Sequence, residues 1–333
     1  SLGTKLSLTT GALFDLRKRG TDWRSAALSE EETRARIVRD AEKAYYGLAS
    51  LGLDLENKNR AVALAAERYR LAVVRFERGL GSELDALRAQ MSELNARSAR
   101  DKAVADYGKK LAAFRRQLGL PADAPVSLTT ALEAPAGLPA YDDGVAIDGR
   151  VDLRRTALAI EAAADAAERF VAVNRLPLVT LEADWSFRAT DPAALRDTLS
   201  LSAALSFNAD AWIPGSRRDL ELRALRETEG RLRLKLEQDR RNARDEVQAL
   251  LQDLALARSG LSLAESQLGL SERIYARTKE AWERGSATGL ELDDAQLAVD
   301  SARQSLIAGR LQYLSLLIDL GYALNVDWRA LYK

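Results

Sequence analysis

The stretch FERGLGSELDALRAQ at residues 76–90 returns as WERGSATGLELDDAQ at residues 282–296, with Glu-Arg-Gly, then Leu, then Ala-Gln at the same relative positions. Shifted by 206 residues, positions 41–119 align with 247–325 without a gap. The shared positions include Leu48/Leu254, Tyr69/Tyr275, Gly79/Gly285, Leu84/Leu290, Ala89/Ala295, Ala96/Ala302, Arg97/Arg303, Tyr107/Tyr313 and Leu118/Leu324. At the end of this unit Gly119 faces Asn325, the two residue types that most readily take the left-handed conformation closing a helix. A duplication of this extent restricts the chain to a fold made of two similar parts.

Each copy reads as an alternating segment, a very long helix, the Gly-containing break and a second long helix. Helices over 24–78 and 216–284 would extend about 80 Å and about 100 Å at 1.5 Å per residue, which does not suit a compact globule. After the second break Leu292, Ala295, Val299, Ala302, Leu306, Gly309, Tyr313, Leu316 and Leu320 step by 3 and 4, the heptad signature of a left-handed coiled coil. The break itself carries its own chemistry. Gly79 can end one helix and Ser82 start the next, with Asp85 completing a Ser-x-x-acid capping box; Gly285, Thr288 and Glu291 repeat the arrangement. So short a turn folds the second helix back antiparallel to the first. The tips are expected at 79–82 and 285–288.

The alternating segments are strands. In PLVTLEADWSFR, Val179, Leu181, Ala183, Trp185 and Phe187 fall on one face and polar residues on the other. After a turn, TLSLSAALSF returns with Leu199, Leu201, Ala203, Leu205 and Phe207 on one side. These strands, 177–188 and 198–207, are long enough to cross a bilayer when tilted. The opening segment supplies a third, with Leu6, Leu8, Ala12 and Phe14. Alternation of this kind also builds soluble sandwiches, but three strands joined to such helices leave no second sheet to cover the apolar face. Arg17-Lys18-Arg19 and Arg217-Arg218 follow the strand exits, where lipid headgroups would lie or where ordinary solvated surface would be.

The sequence thus divides into a first repeat at 1–119, a Pro- and Ala-rich linker at 120–150 with at most one short helix near 130–133, and a second repeat at 151–333. The fold class is mainly α with a small β part. Composition narrows function further. The 333 residues carry 49 basic and 49 acidic side chains, with no His and no Cys. Balanced charge argues against nucleic acid as a partner. The missing imidazoles and thiols remove the usual zinc, haem and nucleophilic chemistry, and neither a nucleophile–base pair nor a phosphate loop is present, so the chain does not read as an enzyme and no cofactor or metal is expected. The lack of Cys is compatible with an oxidising compartment. No run of about 18 apolar residues marks a transmembrane helix.

Asp85 and Glu291 can serve as helix caps or face a pore. Asp293 and Asp294 are different, because their counterparts in the first repeat are Leu87 and Arg88, so symmetry does not require acids there. A pair of acids just inside a hairpin tip could face a pore or simply solvent.

Taken together these features resemble the TolC-like outer-membrane efflux proteins. The resemblance is carried by RVDLRRTALAIEAAADAAERFVAVNRLPLVTLEADW at 150–185, by the LSLTTGALF and LSLSAALSF strands, and by two tips with Gly, an acid six residues on and Ala four later. It implies a homotrimer in the outer membrane, a β-barrel in lipid and long hairpins forming a periplasmic helical tunnel that meets a periplasmic adaptor and an inner-membrane pump. It places Arg78, Gly79, Leu80, Ser82, Arg284, Gly285, Ser286 and Thr288 where the adaptor docks, and Asp85, Trp282, Glu291 and Asp294 at the constriction. Two departures stand out. Trp282 occupies a position where Tyr is familiar, and Ala287 one where a basic residue can tie the tip shut. The helix and strand equivalent to 151–189 have no counterpart before Ser1, which implies a natural chain that starts earlier. The rival reading is a soluble coiled-coil scaffold without a pore.

Overall fold

The computed structural model describes residues 2–9, 12–135, 137–139, 147–189, 195–206 and 208–332. The elements are β1 (Leu2–Thr9), α1 (Ala12–Glu77), α2 (Glu83–Gln117), α3 (Val151–Asn174), β2 (Leu178–Ala189), β3 (Leu195–Ser206), α4 (Arg217–Glu283) and α5 (Gly289–Leu324), with 3-10 turns at Ile147–Gly149, Ala209–Trp212 and Trp328–Tyr332. They form two compact units. One comprises residues 1–34 and 146–245, the other residues 35–145 and 246–333, so each unit draws on both sequence repeats.

The first unit holds the sheet, ordered β1-β2-β3 and antiparallel throughout. Its register sets Leu6 opposite Ala183 and Leu8 opposite Leu181, then Val179 opposite Leu205, Leu181 opposite Ala203 and Ala183 opposite Leu201. Because side chains alternate along a strand, these positions share one face. That face is open where it can be followed: Leu201 is 76% exposed and Leu205 74%.

Beside the sheet, α3 runs antiparallel to the start of α1, and the two are laced by charge. Asp15–Arg169 (2.9 Å), Arg17–Glu168 (3.7 Å), Arg24–Glu161 (2.8 Å), Glu31–Arg154 (2.9 Å) and Glu32–Arg155 form a ladder, three of whose α1 positions, 17, 24 and 31, recur every seven residues. That heptad spacing keeps the pairs on one stripe of each helix. Exposed pairs of this kind contribute little stability individually and chiefly fix alignment. Under them lies a small apolar cluster of Leu28, Val151 and Leu158.

Two expectations are corrected here. The opening strand ends at Thr9, and Ala12 and Phe14, read as its continuation, belong to α1, which starts twelve residues before the expected 24. The added helix includes Gly20, a residue that costs about 1 kcal/mol in a helix interior, and is aligned on α3 by the ion-pair ladder. Arg17, read as facing either lipid headgroups or solvent, pairs with Glu168 and lies over the Phe14 ring.

The second unit is a bundle of helical hairpins. The α1–α2 pairing is antiparallel, since the Gly47 position stands against Lys110 and Gly52 against Tyr107. In the other hairpin Leu261 meets Gly309 and Glu272 pairs with Arg303 at 2.8 Å. Helices α1 and α5 join the hairpins through Lys43–Asp319 (2.6 Å), Gln304 to Asp54 (3.2 Å) and Arg68–Asp293 (2.9 Å). The core gathers Tyr46, Leu132, Val247, Leu254, Tyr313, Leu317 and Trp328. Most of the heptad residues read from sequence lie in the interior: Leu292, Ala295, Val299, Ala302, Tyr313 and Leu320 are buried.

The linker forms no helix at 130–133, where a short one was admitted. There the backbone and the one large apolar side chain of 130–133, Leu132, are engaged elsewhere. The Thr130 N–H donates to the Tyr45 hydroxyl at 2.9 Å, Leu132 is buried in the core, and Tyr313 donates to the Gly137 carbonyl at 2.7 Å.

Candidate functional site

The two tips are built alike. At the first, Gly79 takes φ +69°, its N–H donates to Phe76 O and that of Leu80 to Arg75 O, at 2.9 and 2.8 Å. At the second, Gly285 takes φ +79°, its N–H donates to Trp282 O and that of Ser286 to Ala281 O, both at 2.9 Å. This is the closing pattern that spends otherwise orphaned helix carbonyls, and the positive φ makes Gly the residue of least strain. The helix ends further along match too: Gly119 (φ +68°) and Asn325 (φ +54°) are both left-handed.

Each return helix opens on a capping box. Ser82 Oγ accepts from Asp85 N at 3.2 Å while the Asp85 carboxylate accepts from the Ser82 hydroxyl at 2.7 Å. Thr288 Oγ1 accepts from Glu291 N at 3.2 Å, and Glu291 Oε2 accepts from Thr288 N at 2.6 Å and its hydroxyl at 3.0 Å. The Thr288 amide, followed by its hydroxyl, holds the Glu291 carboxyl below the usual range. Of the two roles open to Asp85 and Glu291, capping is therefore occupied in both.

Asp293 is engaged within the chain. Arg68 on α1 donates to its Oδ1 at 2.9 Å and to the Tyr275 hydroxyl at 3.1 Å, with the guanidinium 5.6 Å from the Tyr275 ring. Burial raises the Asp293 pKa ahead of the opposing pull of Arg68, and the neighbouring Asp294 adds to the rise. Asp294 is exposed. Trp282 lies under a cation: the Arg75 guanidinium is 5.0 Å from its ring. Thus α1 reaches the second tip twice, through Arg68 and through Arg75, although Ala287 offers no ion pair of its own. Sequence reasoning did not single out Arg68 or Arg75. A signal for Arg68 existed in the repeat, whose counterpart position is the apolar Ile274.

Between the tips lies a groove of about 420 Å³ lined by Arg75, Leu80, Asp85, Arg88, Trp282 and Leu292 among others. Arg78, Gly79, Leu80, Ser82, Arg284, Gly285, Ser286 and Thr288 are all exposed on its rim and at the turns. Arg284 is turned back onto its own helix, with Nε donating to Glu280 O at 3.1 Å. Among the described residues no group of three or more acidic side chains could hold a metal ion. The arrangement is suited to holding two helical ends together and presenting them.

The fold is shared with solved outer-membrane proteins. The outer-membrane channel OprN superposes with a TM-score of 0.82 at 18% identity, covering 99% of this chain and 76% of that one. CusC gives 0.80 at 16% identity, covering 98% and 78%. The outer membrane protein VceC from Vibrio cholerae gives 0.77 at 16% identity, covering 98% and 79%. No curated protein sequence matches. The profile described as "OEP: Outer membrane efflux protein" matches residues 144–326, more than half of the chain, and the protein therefore belongs to the outer membrane efflux protein family.

Proposed function

We propose that the protein is the outer-membrane exit duct of a tripartite efflux or type I secretion assembly, a homotrimer whose strands join in one barrel and whose hairpins line a periplasmic tunnel. The observation that carries this reading is the sheet. Its register gathers the apolar positions of three strands on one face, and Leu201 and Leu205 on that face stand open. A soluble coiled-coil scaffold has no use for such a surface, whereas a barrel wall turns it to lipid and needs no covering layer. No helix among the described residues is long and apolar enough to cross a membrane, so the strands are the membrane element of this reading.

In that assembly three copies of Asp294 surround one axis near the tunnel's end. Carboxylates held close in an aqueous neck attract cations and favour their passage over anions. The adaptor engages the exposed tip residues Arg78, Gly79, Leu80, Ser82, Arg284, Gly285, Ser286 and Thr288, and opening separates the second tip from α1. Adaptor binding drives this only to the extent that it favours the open state. Asp85, Trp282, Glu291 and Asp293 then act on the neck through the geometry of the tips.

The test is a planar-bilayer recording of the purified protein. Cation-selective steps whose reversal potential shifts in Asp294→Ala support the reading. A protein that gives no conductance and stays in solution without detergent supports the scaffold.

A further inference from the structure

The groove between the tips carries positive charge that the chain itself does not match. Three guanidiniums, of Arg68, Arg75 and Arg88, line it together with two carboxylates, of Asp85 and Asp293. Arg68 and Asp293 satisfy each other at 2.9 Å, and the Asp85 carboxylate is committed to its capping box, accepting from the Ser82 hydroxyl at 2.7 Å. Arg75 and Arg88 remain. Among the described residues neither pairs with a carboxylate, and the Arg75 guanidinium instead lies 5.0 Å from the Trp282 ring. The repeat does not call for them either, since the 206-residue shift turns Arg75 into Ala281 and Arg88 into Asp294.

Their setting narrows what they can bind. A guanidinium lying over an aromatic ring keeps its N–H groups in its own plane, where they can hold a carboxylate by two hydrogen bonds. Much of the remaining lining is apolar: Leu80 and Leu290 are 68% and 58% exposed, and Leu292 is buried. The groove's volume of about 420 Å³ is that of a small-molecule site. A bare inorganic anion leaves the leucines unused, and an uncharged apolar compound leaves the two guanidiniums unmatched. An organic anion with an apolar body uses both.

We propose that this groove is a binding site for a small amphipathic organic anion of the aromatic carboxylate class. Its acid group bridges Arg75 and Arg88, and its apolar body lies against Leu80, Trp282 and Leu290. The Asp85 carboxylate repels a further negative charge, which favours monoanions. The ligand touches Arg75, Leu80 and Arg88 of the first hairpin and Trp282 and Leu290 of the second at once, and so ties the two tips to each other. All of these residues belong to one compact unit of a single chain, so the inference goes beyond the duct reading and does not depend on it.

The test is a calorimetric titration of the purified full chain in lipid nanodiscs, with empty nanodiscs as the blank. The probe is naphthoate, and naphthylmethylammonium serves as its cationic twin. Saturable binding of naphthoate and none of the ammonium is the expected result. Arg75→Gln and Arg88→Gln are each expected to weaken naphthoate roughly tenfold, the effect of losing a hydrogen bond to a charged group. Arg277→Gln, which changes an exposed arginine outside the groove, is expected to bind as wild type does. Absence of saturable naphthoate binding overturns the site. Equal binding of the two probes, or an unchanged naphthoate affinity in both groove variants, shows that the guanidiniums do not select the ligand and overturns the proposal as well.

Discussion

Arg68 and Asp293 meet at 2.9 Å across 225 positions of sequence, with the Arg68 side chain only 14% exposed. The pair ties the first hairpin's descending helix to the second hairpin just inside its tip. Removing one member leaves the other half-buried without its partner, a loss of about 1–3 kcal/mol. Arg68→Ala is therefore expected to loosen the second tip and raise single-channel conductance, and Asp293→Asn to do the same. Recordings in lipid bilayers check this; wild-type conductance in both variants would show that the pair does not hold the tip.

Acid should act on the same pair. Burial raises the Asp293 pKa in the folded chain, so on acidification it takes up a proton while an unfolded chain still would not. In that window, just above the ordinary carboxylate range, the native state binds more protons than the unfolded one, and this group's contribution to global stability rises as pH falls. The ion pair with Arg68 is nonetheless lost. The expected outcome is higher conductance at mildly acid pH without unfolding, and no such step in Asp293→Asn. A conductance titration of the two proteins side by side decides it.

Much of this tip architecture was legible because it is local. Gly79 with Ser82 and Asp85, and Gly285 with Thr288 and Glu291, announce left-handed closure and a capping box within a few residues, and both form. Heptad spacing likewise marked half of the buried residues of α5. What escaped was non-local or context-dependent. No spacing rule connects Arg68 to Asp293, and an Asp near a tip reads the same whether it faces water or a guanidinium. Ala12 and Phe14 were drawn into a strand by alternation, although they lie in a helix whose Asp15 and Arg17 find partners on α3. Thr130–Glu133 had helical composition, but Tyr45 captures the Thr130 amide.

Asp219 provides a pH effect of opposite sign. Its carboxyl is held below the usual range by the Gly215 amide, with Arg223 and Arg175 adding to the effect. It receives the Gly215 N–H at 3.1 Å and pairs with Arg223 at 2.8 Å and Arg175 at 3.1 Å. A depressed carboxylate pKa stabilises the fold above the ordinary carboxylate range, and that contribution fades as pH falls through the folded-state value. Asp219→Asn is expected to lower Tm at neutral pH, with the gap to wild type closing in acid. Thermal melts across pH check the sign; a gap that widens in acid contradicts it.

Two glycines separate close packing from mere helix weakness. A Cβ on Gly321 would lie 2.9 Å from both Trp328 Cβ and the Val326 carbonyl oxygen, and 3.0 Å from Trp328 N. Backbone atoms cannot move aside as a side-chain end can, so Gly321→Ala must displace the turn at Trp328–Tyr332 and with it Trp328, which donates to Glu42 at 3.2 Å. Overpacking of this kind costs about 1–3 kcal/mol. Gly309 sits in the same helix, but its Cβ would meet only Leu261 Cδ1 at 3.5 Å, an ordinary contact. There Ala restores helix propensity and is expected to stabilise by about 0.5–1 kcal/mol. Denaturation of the two variants should move the midpoint in opposite directions. A shared direction would mean that the close approach at Gly321 is relieved at no cost, or that the α4–α5 contact at Gly309 cannot admit a methyl group.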